Sequence, residues 1–382
     1  MKDKGEKHFD VLGLGCTAVD DLFYVPSFPA ADEKVQVARS VRRFGGLTGI
    51  ALITAARLGV RCAYAGCLGT DELSLFVARH FAEEGVNVTH APRPANAVVV
   101  RSTIVVGDDT GSRNVFFQNQ GLIGAHDSLP AAKLIRASRV LFIDQYGMRG
   151  NLRAARVARA AGVAVVADFE DDTAPLFREV LDCVDHLILS EDFALRTTQE
   201  LNAALAALAL WGADRAAVLV TCGAKGCWSV SADNPRQARH HPAFAVRATD
   251  TTGCGDVFHG AYAASLARND PLEQRIRFAA AAAALKAMNN EIPRLAAVEA
   301  FLQANPGRGN PGHQPAVSSS FSSSSSKTRQ ERKGGRVKVG RFEAPAPVRR
   351  RKEVHERAAR QKELARVVAM NEPRKQRPIS KP

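Results

Sequence analysis

The chain has no uninterrupted apolar segment approaching the roughly 18 residues that a membrane-spanning helix needs. Its Ala-rich stretches near 204–210 and 279–285 are short and flanked by charge. The start, Met1–Asp10, is charged and lacks the apolar core of a secretory signal. A cytoplasmic location with no membrane partner is therefore expected. Cysteine is scattered: the seven residues at 16, 62, 67, 183, 222, 227 and 254 include no C-x-x-C pair. That excludes the usual zinc spacing and leaves reduced, mostly buried thiols as the expectation. No G-x-x-x-x-G-K-[ST] run occurs, which excludes a P-loop enzyme, and no fixed-period repeat stands out. Gly13-Leu-Gly-Cys-Thr-Ala18 has the loose form of a dinucleotide fingerprint. Such a fingerprint needs a helix directly after it, whereas Asp20–Pro29 reads as extended and carries two prolines.

What is present is a core-forming composition with a lopsided charge. Of 382 residues, 46% are hydrophobic, enough for one large domain. The 52 Lys+Arg exceed the 39 Asp+Glu, but positions 305–382 alone hold 20 basic and 6 acidic residues, leaving 32 and 33 before them. The net charge is thus +14 in the tail and −1 in the rest, so basicity is no property of the main domain. Two parts follow: a domain over 1–304 and a C-terminal tail over 305–382. The tail is rich in Pro, Gly and Ser, including Ser318–Ser320 and Ser322–Ser326, and then in clusters such as Arg349-Arg-Arg-Lys352. A segment of this kind buries too little apolar surface to order itself, apart from a short helix read over Lys352–Val368. Its charge would attract nucleic acid or another polyanion. With only Phe321 and Phe342 as aromatics it offers little for base stacking.

Over the first 304 residues short apolar or β-branched runs alternate with helical patterns. Strands are expected at Val11–Gly15, Val98–Val106, Val140–Asp144, Val163–Asp168, His186–Leu189 and Ala217–Thr221. Helices are expected at Leu73–Glu84, Asn151–Ala161 and Glu200–Trp211, with Thr70, Asp71 and Ser190 placed to cap helix starts. This order predicts an α/β fold, a mostly parallel sheet flanked by helices. Residues 98–118 break the alternation as two strands around Gly107-Asp-Asp-Thr-Gly111. With the extended stretch 22–42 they predict a small β lid beside the main sheet, able to close over a ligand.

Chemistry concentrates in Thr249-Asp-Thr-Thr-Gly-Cys-Gly-Asp-Val-Phe-His-Gly260, which opens a helical stretch running to Arg268. Gly253 and Gly255 permit a tight turn that presents successive N–H groups at a helix start, a geometry suited to a phosphate. Asp256 directly follows, where its carboxylate can accept a proton from an attacking hydroxyl. A bare G-x-G-D is also compatible with a glycine turn and an ordinary helix-start Asp.

The longer pattern, Asp250-Thr-x-Gly-x-Gly-Asp256-x-Phe258-x-Gly260, resembles the C-terminal signature of the ribokinase-like (PfkB) carbohydrate kinases, with Cys254 at the usual alanine position. The resemblance extends over about residues 9–303. It implies ATP-dependent phosphorylation of a sugar hydroxyl, with magnesium, a sugar and ATP as partners. By the same resemblance Asp256 is the general base, and the backbone amides of Gly253, Cys254, Gly255 and Asp256 form the anion hole. Gly45-Gly46, ahead of a helix ending Arg57-Leu58-Gly59, looks like the family's N-terminal signature. Asp20 sits where relatives hold sugar hydroxyls, and Thr221-Cys-Gly-Ala-Lys-Gly226 looks like the stretch along ATP, giving Thr221, Gly223 and Gly226. A lid of the family's kind can also join two copies into a homodimer. A nucleoside kinase of the same fold and a non-catalytic sugar- or nucleotide-binding protein are the alternatives.

There are departures from the family pattern. Ile50 replaces an expected asparagine, and the element that supports magnesium and phosphate reads Ser190-Glu-Asp-Phe193, so Ser190 and Glu191 become the candidates there. Met288-Asn-Asn-Glu291 is short and lacks glycine. Within the family, Pro242-Ala-Phe and the Asp250–Gly260 segment look most similar to the sulfofructose kinases, with Lys34 near the substrate's anionic end. Gln145 stands where an arginine would be expected.

Overall fold

The structure, a computed structural model, describes residues 8–109 and 112–306. The expected tail beyond residue 306, with its helix at 352–368, lies outside the described residues. In chain order the elements are β1 (Phe9–Leu14), β2 (Ala18–Val25), β3 (Arg39–Gly45), α1 (Leu47–Arg57), β4 (Cys62–Tyr64), α2 (Glu72–Glu83) and β5 (Val86–Asn87). Next come β6 (Val100–Gly107), β7 (Arg113–Gln118), α3 (Ala132–Arg136), β8 (Ser138–Asp144), α4 (Met148–Ala160), β9 (Ala164–Asp168), α5 (Phe177–Leu181) and β10 (His186–Ser190). The chain continues through α6 (Glu191–Thr198), α7 (Ala203–Ala209), β11 (Ala217–Thr221), β12 (Cys227–Ser231) and β13 (Asn234–His241). It closes with α8 (Cys254–Ala267), α9 (Leu272–Asn289) and α10 (Leu295–Ala304).

Among these residues the main sheet has nine strands in the order β13-β12-β11-β10-β9-β8-β1-β4-β5. It is parallel except where β12 pairs antiparallel with β11 and β13. Both faces are covered, which explains why the central strands read as continuous apolar runs rather than alternating ones. Side chains along a strand still alternate between two cores. Val11, Val140, Phe142, Val166, Ile188 and Leu219 enter one core, beside buried residues of α1, α8 and α9. Leu12, Leu141, Ile143, Val165, Leu187 and Val218 enter the other, beside buried residues of α4 to α7.

Within the first core, Gly260 of α8 packs closely against α1. A Cβ at Gly260 would lie 2.3 Å from the carbonyl oxygen of Ala51 and 2.8 Å from Cβ of Thr54. Alanine is the better helix former, yet Gly260→Ala is expected to destabilise by ~1–3 kcal/mol, because the overpacking outweighs the propensity gain. Urea unfolding followed by circular dichroism checks it; an unchanged or raised midpoint would show that α1 and α8 are not clamped together here.

The lid is a second sheet in the order β3-β2-β6-β7. It is wider than the sequence suggests, because β2 begins at Ala18 and β3 ends at Gly45, while the proline-bearing middle of the 22–42 stretch is a loop. At the β6–β7 turn the Gly107 N–H donates to Ser112 O (3.0 Å), and Thr110 and Gly111 lie outside the described residues. Two helix expectations are corrected. Asp71, not Thr70, caps α2, its carboxylate accepting from the N–H groups of Leu73 and Ser74. The helix read over Glu200–Trp211 shrinks to α7, because Gln199 leaves α6 in the left-handed region at φ 60° and Asn202 starts a new helix by accepting from the Leu205 N–H (3.0 Å).

Candidate active site

The parallel strands end in polar residues at one edge of the sheet. Asp144 and Asp168 are register partners at the ends of β8 and β9, and Ser190 and Thr221 are partners at the ends of β10 and β11. In open α/β sheets the crevice beyond these carboxyl ends is where ligands bind. The first turn of α8 comes to this edge, and Asp256 is half-buried there.

Gly253 is the N-cap of α8 with φ 74°, a left-handed conformation that favours glycine. The first intrahelical bond runs from Val257 N–H to Gly253 O (3.0 Å), so the Gly255 and Asp256 amides precede any helical acceptor. The Cys254 N–H is turned to Thr251 O (3.2 Å) and closes the loop ahead of the helix. Asp250 fixes that loop by accepting from the Thr252 N–H (2.8 Å). Burial works against the Asp250 charge, yet that hydrogen bond and the nearby Lys286 and Arg113 hold its carboxyl below the ordinary range. Burial lifts the Cys254 thiol, which keeps it a thiol rather than a competing anion. The Asp256 carboxyl is pushed upward, first by burial and then by Asp168, with His259 pulling in the opposite direction.

On the lid side, Gly46 is the N-cap of α1 at φ 93°, and a Cβ there would lie 2.6 Å from Cα of Thr17. A Cβ at Gly45 would lie 2.7 Å from Oδ2 of Asp20, so the glycine pair and Asp20 stand together where β2 and β3 meet. Burial raises the Asp20 carboxyl, opposed by a hydrogen bond from Ser102. Lys34 is exposed in the β2–β3 loop. From β7, Arg113 Nη1 donates to the hydroxyl of Thr252, tying the lid edge to the turn that precedes α8.

On the far side, Ser190 caps α6 by accepting from the Phe193 N–H (3.3 Å), and Glu191 pairs with Lys225 at 3.3 Å. The Thr221 hydroxyl donates to Leu189 O (3.3 Å), and Gly223 and Gly226 have φ of 56° and 94° in the turn between β11 and β12. This turn therefore joins β11 and β12 as an antiparallel hairpin. Gly226 is fixed by packing, since a Cβ there would lie 2.0 Å from His241 O.

Two buried carboxylates, Asp144 and Asp168, lie outside the motif segments. The Asp144 Oδ2 accepts from the Cys16 N–H (2.7 Å) and the Thr48 hydroxyl (2.8 Å), and its Oδ1 accepts from the Tyr146 N–H (2.8 Å). Burial pushes its carboxyl up to about 6 against the pull of those donors. Asp168 is pushed well above its ordinary value by burial, and it lies 3.2 Å from Nδ1 of His259. Their only sequence signal is a carboxylate closing an apolar strand run, as in Val140-Leu-Phe-Ile-Asp144.

The family model for pfkB carbohydrate kinases matches residues 10–290. The ribokinase of Haemophilus influenzae is 27% identical over 304 residues, covering 76% of this chain and 97% of that relative. Fructokinase-1 of Oryza sativa is 26% identical over 271 residues, covering 65% and 83%. Among solved structures, a putative ribokinase from Agrobacterium tumefaciens superposes with a TM-score of 0.70 at 26% identity, covering 79% of this chain and 99% of that one. The Arabidopsis thaliana ribokinase complexed with ribose and ATP shares the fold with a TM-score of 0.69 at 21% identity, covering 77% and 99%. The edge-of-sheet site belongs to a phosphotransferase fold of the ribokinase type. The chain belongs to the pfkB family of carbohydrate kinases.

Among the described residues no group of three metal-ligating side chains stands together. No helix among them is long and apolar enough to cross a membrane.

Proposed function

We propose that the protein transfers the terminal phosphoryl group of ATP to a hydroxyl of a small sugar, with Asp256 as general base. The single observation that carries this reading is the placement of a half-buried Asp256 carboxyl on the first turn of α8. The amides of Gly255 and Asp256 precede the first helical bond there, and Arg113 of the lid reaches the same turn at Thr252. The sugar would lie under the lid, its hydroxyls on Asp20 and on the backbone at Gly45 and Gly46. The nucleotide would lie along Ser190, Thr221, Gly223 and Gly226, with its terminal phosphate at the turn 253–256. Asp256 then takes the proton as the sugar oxygen attacks phosphorus, and the amides and the positive end of α8 offset the developing charge. Magnesium, when bound, would supply further neutralisation of phosphate charge, and Glu191, here paired with Lys225, would be the side chain to help hold it. The lid excludes water, which favours transfer to the sugar over hydrolysis.

Ribose and fructose head the panel of acceptors, given the ribokinase and fructokinase relatives. A sulfonated sugar joins it because of the likeness of residues 242–260 to the sulfofructose kinases, with Lys34 and Arg113 as basic groups on the lid side. Nucleosides are the competing class. ADP release with each compound tests the reading, and no turnover with any of them overturns it. Pairing of two lids would use the exposed Val115, Phe116 and Phe117 of β7, an edge strand.

The kinase unit is proposed to end by residue 304, and the tail to be dispensable for catalysis. Truncation after Gln303 is expected to leave kcat and KM unchanged in the same assay. Loss of folding or of turnover would place the boundary elsewhere.

A further inference from the structure

Lys286 lies in the last turn of α9 and is only 8% exposed. Lysine is rarely buried so deeply, because an ammonium taken out of water needs fixed dipoles or an opposite charge to compensate it. Its Nζ donates to Oδ1 of Asn290 at 3.0 Å. Asn290 ends the helix in the left-handed region at φ 57°, and its own N–H donates to the Lys286 carbonyl oxygen (2.9 Å). The next carbonyls of α9 carry the loop that leads into α8. Ala287 O accepts from the N–H groups of Thr249 (2.7 Å) and Asp250 (3.3 Å). The Thr249 hydroxyl donates to Ala287 O (3.1 Å) and Met288 O (3.0 Å). Those carbonyls are the negative end of an 18-residue helix, and the Asp250 carboxylate joins them from the loop. A meeting of this kind calls for a cation, and Lys286 is the one that α9 itself brings. Its charge reaches both ends of the loop. Burial works against the Asp250 charge and against ionisation of the Cys254 thiol, and Lys286 opposes burial at both. Arg113 also acts on Asp250, but it is exposed and carried on the lid strand β7. A guanidinium on a lid leaves with the lid, whereas Lys286 belongs to a core helix and stays.

We propose that Lys286 is the resident cation of the turn that leads into α8, holding Asp250 in place and adding positive charge beside the amides that receive the phosphoryl group. The functional half of this inference rests on the kinase reading above. Lys286 is a positioning residue. It acts through Asp250, whose Oδ1 accepts from the Thr252 N–H (2.8 Å), and so through the backbone that turns into Gly253 and Cys254. Phosphate charge arriving at the Gly255 and Asp256 amides then meets a positive charge that is already fixed and needs no reorganisation. Without it, the α9 carbonyls and Asp250 would oppose the arriving phosphate as like charge against like.

Two measurements test this. The first needs no activity: the rate at which iodoacetamide alkylates the half-buried Cys254 in the full chain at about pH 8, read by mass spectrometry of its peptide. The thiolate is the reacting form, so removing a nearby cation lowers the rate. Lys286→Met should slow alkylation by at least ~3-fold, and Lys286→Gln, which keeps a donor for Asn290, should slow it as much. Lys286→Arg should leave it near that of the unmodified chain. Shape and hydrogen bonding differ among the three, so only charge sorts them in this way. Equal rates in all of them, or a Gln variant that behaves like Arg, overturn the proposal. Where Lys286→Met does not fold, the comparison of Gln with Arg decides. The second measurement is kinetic. Lys286→Gln should lower kcat by at least ~10-fold with little change in sugar KM, and Lys286→Arg should retain most of the activity. An unchanged kcat in Lys286→Gln overturns the functional half. If alkylation follows charge but no sugar is phosphorylated, the resident cation stands and the kinase reading fails on its own.

Discussion

Asp256→Asn is expected to lower kcat by at least ~100-fold while the KM for ATP and for the sugar stay near those of the unmodified chain. The amide matches the carboxyl in size, so the turn from Gly253 and the amides of Gly255 and Asp256 keep their positions. What is lost is the ability to accept a proton from the attacking hydroxyl. Steady-state ADP release measures it, with circular dichroism to show that the variant is folded. The pH dependence supplies an independent check. Burial and Asp168 push the Asp256 carboxyl up, so the base is protonated and inactive over a wider acid range than a free aspartate. Activity should therefore fall as pH drops through that raised value, placing the acid limb of kcat/KM above the usual carboxylate region. In Asp256→Asn the residual rate should lose this limb. Normal turnover in the variant would reject Asp256 as the base.

The fold was largely legible because its signals are local. A parallel sheet buried on both faces leaves runs such as Val140–Asp144 and Ala217–Thr221 with no polar interruption, and the structure places them as β8 and β11. The lid could be read because its strands interrupt the β–α rhythm, although the start of β2 at Ala18 was hidden in an apolar stretch that looks continuous with β1. The Glu200–Trp211 helix failed for a tertiary reason: the alanines fit a helix, but the left-handed Gln199 and the Asn202 cap decide where it begins. Within the site, the glycine-bearing turn announced itself because Gly253 sits at φ 74°, a conformation that favours glycine. The second tier did not. Asp144 is made by three donors from three parts of the chain, 128, 96 and 2 residues away. His259 is defined by partners 71 and 91 residues away in sequence, together with one on its own helix. Contacts assembled by topology leave no spacing to recognise.

Asp144 yields the largest stability effect expected of the chain. It is fully buried and links the end of β1, the start of α1 and the chain after β8 through Cys16, Thr48 and Tyr146. A Cβ at Gly15 would lie 2.3 Å from its Oδ2, so little space exists for repacking or for a replacement water. Asp144→Ala strands two backbone N–H groups and a hydroxyl, which is expected to cost ~3–5 kcal/mol. Asp144→Asn should not rescue it, because its NH2 group must face either the Tyr146 N–H or the Cys16 N–H, donor against donor. Urea unfolding of both variants measures this. A loss under ~1 kcal/mol in Asn would mean that one of these donors is satisfied elsewhere. The charge adds a sign that can be read separately. With the folded value raised to about 6, the folded chain holds this proton where an unfolded aspartate has already lost it. The Asp144 contribution to stability is thus greatest below the unfolded value and declines as pH rises toward about 6, after which it is level. The two variants should lack that decline, so the gap between each of them and the unmodified chain should narrow over the same interval. Because Thr48 and Cys16 also shape the approach to Gly45 and Gly46, the folded fraction of Asp144→Ala should show a raised sugar KM before it shows a lower kcat. A change confined to kcat would place Asp144 with the phosphate rather than with the sugar.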